Sequence, residues 1–329
     1  MTGSGGQLAE PGENFGRAWN RFWFQPSDPS TLALLRILLG LSVLAYVYSH
    51  TADLVVWFAA DGLLPRETVQ QLSGASATGQ PIVFRWSYLY LSDAPSFLWI
   101  AHLAGLLVAA ALTVGWYTRI SCVASLVVVL SYVHRAPMIT GLTEPLLTMM
   151  LLYLCFAPCG ACYSLDAWRR RSLKDHGLRA TEGWTSATVS IRLMQVHLSA
   201  FYLMMGFSKL AGTTWWSGEA VWWLGARTES RLLGWTFLHD YLLLVNLWTH
   251  LIVLFEISFG LLIWNRWCRS ILLATAVVMW GSLALLTGLL GFCALMLIAN
   301  LCFVPPRVIR SLFEAGFTKF TRPEPAATA

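Results

Sequence analysis

The sequence predicts an all-α, polytopic membrane protein, a bundle of about eight transmembrane helices with interfacial helices flanking it. Of its 329 residues, 57% are hydrophobic and 12% are charged, which is about half the charged fraction of a typical soluble domain. Several apolar segments also approach or reach the ~17–25 residues that cross the hydrocarbon core of a bilayer. These segments are residues 32–49, 96–114, 118–134, 142–157, 189–208, 241–264, 269–287 and 289–304.

The basic residues predict how these segments are oriented. With eight spans, fourteen of the 22 Lys and Arg residues fall on the side of the N-terminus, and five fall on the opposite side. Cytoplasmic loops carry the excess of basic residues. We therefore expect a multi-pass protein of the cytoplasmic (inner) membrane with both termini in the cytoplasm. This bias explains the net charge of +5, so the expected partner is the lipid membrane and not a nucleic acid.

The ends of the chain differ in composition from its apolar middle. Residues 1–14 are Gly-rich and polar, and we expect a disordered tail. Aromatic residues then recur at helical spacing from Phe15 to Trp23 beside two arginines, a pattern typical of a helix that lies in the headgroup layer. Residues 15–310 are expected to form the transmembrane domain, and residues 311–329 an amphipathic segment with a disordered tail.

A polar stripe on the fifth span ends at Lys209. Its members are Arg192, Gln195, Ser199, Tyr202, Gly206 and Lys209. At helical spacing they occupy one face about 100° wide. An ammonium at membrane depth is costly and usually functional, so Lys209 is the candidate catalytic base, and Gln195 and Tyr202 are candidate ligand-binding residues. The alternative is that Lys209, at the outer helix end, extends to the membrane interface.

The sixth span carries a second polar line. Asn246 and Glu256 lie on one face, with His250 beside it. A carboxylate near the middle of the membrane needs a partner or a proton. We interpret these three residues as polar lining of a ligand cavity. The alternative is that Glu256 bonds a neighbouring helix and only stabilises packing.

Residues near the outer face are candidates for the mouth and the cover of such a cavity. Glu144 and His134 stand at adjoining helix ends and are interpreted as mouth residues, although an ordinary solvated turn explains them equally well. Trp215 and Trp216, with Glu219, are interpreted as a cover over a flat apolar ligand. An interfacial aromatic belt explains the same tryptophans. No metal is expected, since one Cys-x-x-Cys spacing is a weak signal.

Short degenerate motifs follow one another along most of the chain. They are Arg36-Ile-Leu-Leu-Gly40, Asp61-Gly-Leu-Leu-Pro65, Phe156-Ala-Pro-Cys-Gly160 with Ser164-Leu-Asp166, Tyr202-x-x-x-Gly206-x-x-Lys209-Leu with Trp215, Trp216 and Gly218, and Trp248-Thr leading to Phe255-Glu256. In this order they resemble the horizontally transferred transmembrane (HTTM) domain, the bacterial relative of the membrane part of vitamin K-dependent γ-carboxylase.

The resemblance implies a ligand and a role for one residue. In the carboxylase, the lysine that matches Lys209 deprotonates vitamin K hydroquinone, so the resemblance implies a quinone or naphthoquinone as the ligand here. Two departures stand against γ-carboxylation of a protein: Glu144 and Trp280 occupy positions where histidines are expected. We therefore expect either a lysine base acting on a quinone-like ligand, or a non-enzymatic membrane factor for maturation or export of a small secreted peptide.

Overall fold

The structure is all-helical. The computed structural model describes residues 15–69, 86–173, 184–226, 234 and 236–321, and within these ranges it holds helices and one isolated β-bridge, between Ser27 and Trp184. The helices are α1 (Phe15–Phe24), α2 (Ser30–Ser49), α3 (Leu54–Phe58), α4 (Pro95–Val114), α5 (Thr118–Arg135), α6 (Thr143–Phe156), α7 (Leu165–Leu173), α8 (Thr185–Leu210), α9 (Thr213–Trp216), α10 (Ala220–Ala226), α11 (Leu242–Leu262), α12 (Arg266–Thr287), α13 (Leu290–Asn300) and α14 (Pro306–Thr321), with 3₁₀ turns at Tyr88–Tyr90, Thr236–Asp240 and Leu301–Phe303.

Each predicted apolar segment coincides with one of these helices. Four of them, α2, α4, α11 and α12, are long and apolar enough to cross a membrane. Helices α6 and α13 are apolar but shorter. Helix α8 has 26 residues, and its polar stripe lowers its average hydrophobicity. The expected tail at residues 1–14 and the chain from residue 322 onward lie outside the described residues.

The surface of the long helices is apolar, as expected for contact with lipid. Leu107 of α4, Leu243 of α11 and Val278 of α12 expose 72%, 85% and 72% of their surface. Exposed apolar side chains are ordinary singly, but many of them on adjacent helices indicate contact with a membrane or a partner. These helices therefore have the surface of a membrane protein.

Glycines set the spacing of the central helix pair, α8 and α11. A Cβ added at Gly206 of α8 would lie 2.7 Å from Cγ1 of Ile257 on α11. A Cβ added at Gly260 of α11 would lie 2.5 Å from Cγ of Leu203 and 2.9 Å from the carbonyl oxygen of Ser199. Small residues at such crossings let two backbones approach closely. The two helices therefore pack with almost no side-chain layer between them at these points.

The C-terminal helix packs against the rest of the described chain. Arg310 of α14 forms an ion pair with Asp28, immediately before α2. The ring of Phe313 stacks on Tyr163 with centroids 4.0 Å apart, and Ile309 is 1% exposed. Helix α14 runs without interruption across the expected domain boundary at residue 310.

One carboxylate holds the start of α5. Asp166 accepts hydrogen bonds from the backbone N–H groups of Tyr117 (3.1 Å) and Thr118 (2.7 Å) and from the Thr118 hydroxyl (2.7 Å). Partial burial acts to raise the pKa of Asp166, but the hydrogen bonds from Thr118 and Tyr117 outweigh it and lower the pKa below its ordinary value. The ionised carboxylate therefore serves as a side-chain cap for α5.

Asp166→Ala is expected to reduce the free energy of unfolding by about 1 kcal/mol, the usual cost of replacing a helix cap by alanine. Because the folded pKa is lowered, this stability is present above the unfolded pKa and is lost as pH falls, below about pH 4. Thermal unfolding in detergent at pH 7 and pH 3 measures it. The free energies of unfolding of the variant and of the unaltered protein should differ most at pH 7, and this difference should be smaller at pH 3; an equal difference at both pH values would contradict the capping role.

Candidate functional site

A buried amine–carboxylate pair joins α8 to α11. Nζ of Lys209, in the last turn of α8, lies 2.7 Å from both Oε1 and Oε2 of Glu256. The Lys209 side chain is 17% exposed and that of Glu256 is 2% exposed. The pair carries no net charge, whether the proton is on nitrogen or on oxygen, and this makes it tolerable in an apolar environment.

The close helix crossing explains why the two side chains meet. Gly206 precedes Lys209 by three residues and therefore lies on the same face of α8. A Cβ at Gly206 would come within 3.5 Å of Cβ of Glu256. Because this position has no side chain, α11 lies close enough for the short glutamate to reach the amine at the next turn.

The segment after α8 covers the amine on one side. The half-buried ring of Trp215 lies with its centroid 5.2 Å from Nζ of Lys209, within the range of a cation–π contact. Trp216 is exposed, and its Nε1 donates to the carbonyl oxygen of Leu210 at 2.5 Å. The ring of Trp215 therefore covers one side of the pair, whereas the Nε1 hydrogen bond holds Trp216 at the end of α8.

Helix α11 holds this covering segment in place. Nδ2 of Asn246 donates to the carbonyl oxygen of Ser217 at 3.0 Å, and the hydroxyl of Thr249 donates to the carbonyl of Gly218 at 2.9 Å. Gly218 has φ +78°, and a Cβ there would lie 2.1 Å from Nδ2 of Asn246. Only glycine fits that backbone conformation beside the amide. Asn246 therefore positions the Trp215 segment and is itself exposed to solvent or lipid.

Two residues of the α8 stripe, Tyr202 and Gln195, lie farther from the C-terminal end of α8 than Lys209 does. They form hydrogen bonds to other parts of the chain. The hydroxyl of Tyr202 accepts from Nε1 of Trp280 at 2.7 Å and pairs with the Asn300 amide, 3.0 Å from Nδ2. Gln195 Nε2 donates to the carbonyl of Cys302 at 2.7 Å. At 1.5 Å per residue, Tyr202 and Gln195 are about 10 Å and 21 Å from Lys209 along the helix axis. They stabilise the helix junction and do not contact the pair.

The other predicted residues have different contacts. Glu144 is buried and accepts from the backbone N–H of Gly141 at 2.9 Å. His134 contacts the carbonyl oxygen of Trp86 through Nδ1, at 2.7 Å. His250 is exposed and its Nδ1 lies 2.8 Å from the carbonyl of Asn246 in its own helix. Glu219 is exposed at the start of α10. The structure therefore brings Lys209, Glu256 and Trp215 together, with Asn246 and Trp216 supporting them.

A polar chain near the C-terminal end of α2 was not anticipated from the sequence. Thr51 Oγ1 lies 2.9 Å from Nε2 of His102, whose Nδ1 lies 2.8 Å from the Tyr132 hydroxyl. The ring of His50 is 4.9 Å from that of Tyr132. Burial lowers the pKa of His50, against the raising effects of its bond to the Tyr46 carbonyl and of Glu144. A histidine in the middle of an apolar run, as His102 is, was the available signal.

The fold and this site define a class: an all-helical protein, four of whose helices can cross a membrane, with an amine–carboxylate pair buried between two of its helices. No protein-family model, no curated protein and no solved structure matches the chain.

Proposed function

We propose that the chain is an HTTM-like integral protein of the bacterial inner membrane that crosses the bilayer eight times, with both termini in the cytoplasm. Four helices with the length and apolarity of spans support this topology. The other four proposed spans are α5, α6, α8 and α13, which coincide with predicted apolar segments. The unequal distribution of Lys and Arg between the two sides supports the orientation.

The function that the geometry supports best is proton transfer to and from a flat apolar ligand at Lys209. The observation that carries it is the pair itself: an amine and a carboxylate 2.7 Å apart, between two largely apolar helices. The Trp215 ring beside Nζ and the 17% exposure of Lys209 fit a planar ligand that enters from the side of the covering segment. A quinone or naphthoquinone in its reduced, hydroxyl-bearing form has the required shape and an acidic proton.

The residues present define how the proton moves. A proton first passes from Nζ of Lys209 to a carboxylate oxygen of Glu256, which leaves a neutral amine and a carboxylic acid. The lone pair of the amine then accepts the proton of the ligand hydroxyl, and the ligand becomes an anion beside the new ammonium. A dry environment strengthens this charge stabilisation, and a base positioned at hydrogen-bond distance is the requirement of such catalysis.

The test uses the purified full chain and 2-methyl-1,4-naphthohydroquinone under anaerobic conditions. The unaltered protein is expected to bind the hydroquinone, measured by quenching of tryptophan fluorescence, and to produce the absorption of the hydroquinone anion at a pH where the free compound is neutral. Lys209→Met should abolish the anion signal, because the amine that accepts the hydroxyl proton is gone, while binding persists.

Ser208→Met is the matched control, because it introduces the same side chain on the exposed neighbouring residue and should keep the anion signal. If Lys209→Met and the unaltered protein give the same anion signal, Lys209 is not the base. If the naphthohydroquinone does not quench the tryptophans at all, a quinone-like ligand is excluded.

A second candidate function is a non-enzymatic membrane factor for maturation or export of a small secreted peptide. The observation in its favour is that both oxygens of Glu256 are bonded to Lys209, as in a purely structural ion pair. The double variant Lys209→Met with Glu256→Leu removes both charges together. Quantifying secreted peptides by mass spectrometry in cells that carry this variant distinguishes the two functions: preserved peptide secretion supports the factor, and its loss supports chemistry at the pair.

A further inference from the structure

A cavity between α12 and α13 lies apart from the Lys209 pair. Its volume is about 300 Å³, and seven of its eight lining residues are apolar. The lining is Leu273, Ala276, Val277, Leu297, Ile298, Asn300, Leu301 and Val304. Val277, at its edge, is 60% exposed, so the cavity opens on the side of the molecule that the bilayer covers. Its apolar lining suits a hydrocarbon chain.

The face of α12 that lines the cavity ends in two arginines. Arg266, Arg269, Leu273 and Ala276 follow one another at intervals of three, four and three residues, so they lie on one side of the helix. Arg269 donates through Nε to the carbonyl of Ile263 at 3.3 Å, which holds it at the helix start. The guanidinium of Arg266 lies 4.8 Å from the ring centroid of Trp267. One side of α12 therefore carries two positive charges at its start and an apolar surface directly after them.

We infer that this cavity, together with the adjoining arginines, binds an anionic phospholipid of the surrounding membrane. An acyl chain lies between α12 and α13, and the phosphate lies at Arg266 and Arg269. Charge decides the occupant: an uncharged quinone or a zwitterionic lipid gains less from two arginines than a lipid with net negative charge. Basic sites between transmembrane helices at the cytoplasmic surface are typical binding sites for anionic headgroups. In the orientation proposed above, Arg266 and Arg269 face the cytoplasmic leaflet. The inference does not depend on any chemistry at Lys209.

The experiment is native mass spectrometry of the full chain in detergent, after incubation with dioleoyl phosphatidylglycerol or dioleoyl phosphatidylcholine at equal concentration. The two lipids share their acyl chains and differ in net charge. The unaltered protein should retain the phosphatidylglycerol at least about fivefold more strongly, the effect of roughly one arginine near an anionic headgroup. Arg266→Gln should remove about fivefold of this preference, whereas Arg119→Gln, in the first turn of α5, should leave it unchanged.

The acyl-chain part of the inference has its own pair of variants. Val277→Trp places a large ring over the cavity and should reduce retention of both lipids. Val278→Trp introduces the same ring on the adjacent, 72% exposed residue outside the lining and should reduce neither. Equal retention of the two lipids by the unaltered protein would overturn the inference, as would equal losses in Val277→Trp and Val278→Trp or a co-purified quinone that Val277→Trp displaces.

Discussion

Lys209→Met is expected to lower the free energy of unfolding by about 3 kcal/mol, since removal of one partner of a buried ion pair leaves the other uncompensated. The remaining partner is Glu256, whose side chain is 2% exposed. Unfolding by increasing mole fraction of dodecyl sulfate in mixed micelles, followed by tryptophan fluorescence, measures the change. Ser208→Met serves again as the matched control and should change stability by less than about 0.5 kcal/mol.

The reverse single variant and the double variant complete a thermodynamic cycle. Glu256→Leu should cost less than Lys209→Met, because the long lysine side chain, 17% exposed, can extend toward the interface. The double variant, Lys209→Met with Glu256→Leu, should be more stable than Lys209→Met alone, since no buried charge remains. Additive losses in the double variant would show that the two side chains do not interact, and the site described above would then have no basis.

Gly260→Ala is the second large expected effect. The new Cβ would lie 2.5 Å from Cγ of Leu203 and 2.9 Å from the backbone oxygen of Ser199. A side chain can rotate away but the backbone oxygen cannot, so α8 and α11 must move apart. Overpacking of this kind costs about 1–3 kcal/mol. The same dodecyl sulfate titration measures it, and the separation should also weaken the contact between Lys209 and Glu256.

Gly281→Ala in α12 is the control for this prediction. A Cβ at Gly281 meets nothing within 4 Å, and alanine favours a helix over glycine by about 1 kcal/mol. The control should therefore be as stable as the unaltered protein or slightly more so. Equal behaviour of Gly260→Ala and Gly281→Ala would mean that the two helices are not in close contact.

Lys209→Met and Gly260→Ala both act on the interface between α8 and α11, so the double variant tests whether their effects are coupled. Gly260 and Glu256 are four residues apart on α11 and lie on the same face. If the alanine displaces α11, Lys209→Met in the Gly260→Ala background should cost less than it does alone, because the pair is already weakened. Such non-additivity is expected of residues that share a contact surface. This result would show that the ion pair depends on the spacing between α8 and α11.

Helix positions could be predicted from the sequence because hydrophobicity is a local property. The segment predicted at residues 96–114 is the helix Pro95–Val114, and that at 269–287 lies within the helix Arg266–Thr287. The all-helical prediction is confirmed over the described residues, and four of the helices there are long and apolar enough to span a bilayer. The number eight and the orientation stay predictions, because they depend on the bilayer and on helices such as α8 whose polar stripe reduces their apolarity.

For the candidate site, the sequence predicted which residues share one face of a helix, but not which residues they contact. The stripe that ends at Lys209 follows from helical spacing, and its inner members Tyr202 and Gln195 are indeed buried. Spacing along α8 contains no information about the partner of each residue. Tyr202 meets Trp280 of α12 and Asn300 of α13, and Gln195 meets Cys302. These contacts join residues about 80 to 110 apart in the chain, so only packing decides them.

By itself, the sequence determined the class of the protein and the positions of its helices, since transfer of apolar side chains out of water acts on each segment separately. The sequence also identified Lys209 as a charged residue whose burial in the membrane is energetically unfavourable. Only the tertiary structure decided how that charge is tolerated: glycines at the crossing of α8 and α11 bring the carboxylate of Glu256 within 2.7 Å of the amine. The physical reason is that the attraction between opposite charges depends on a distance set by two helices far apart in the chain.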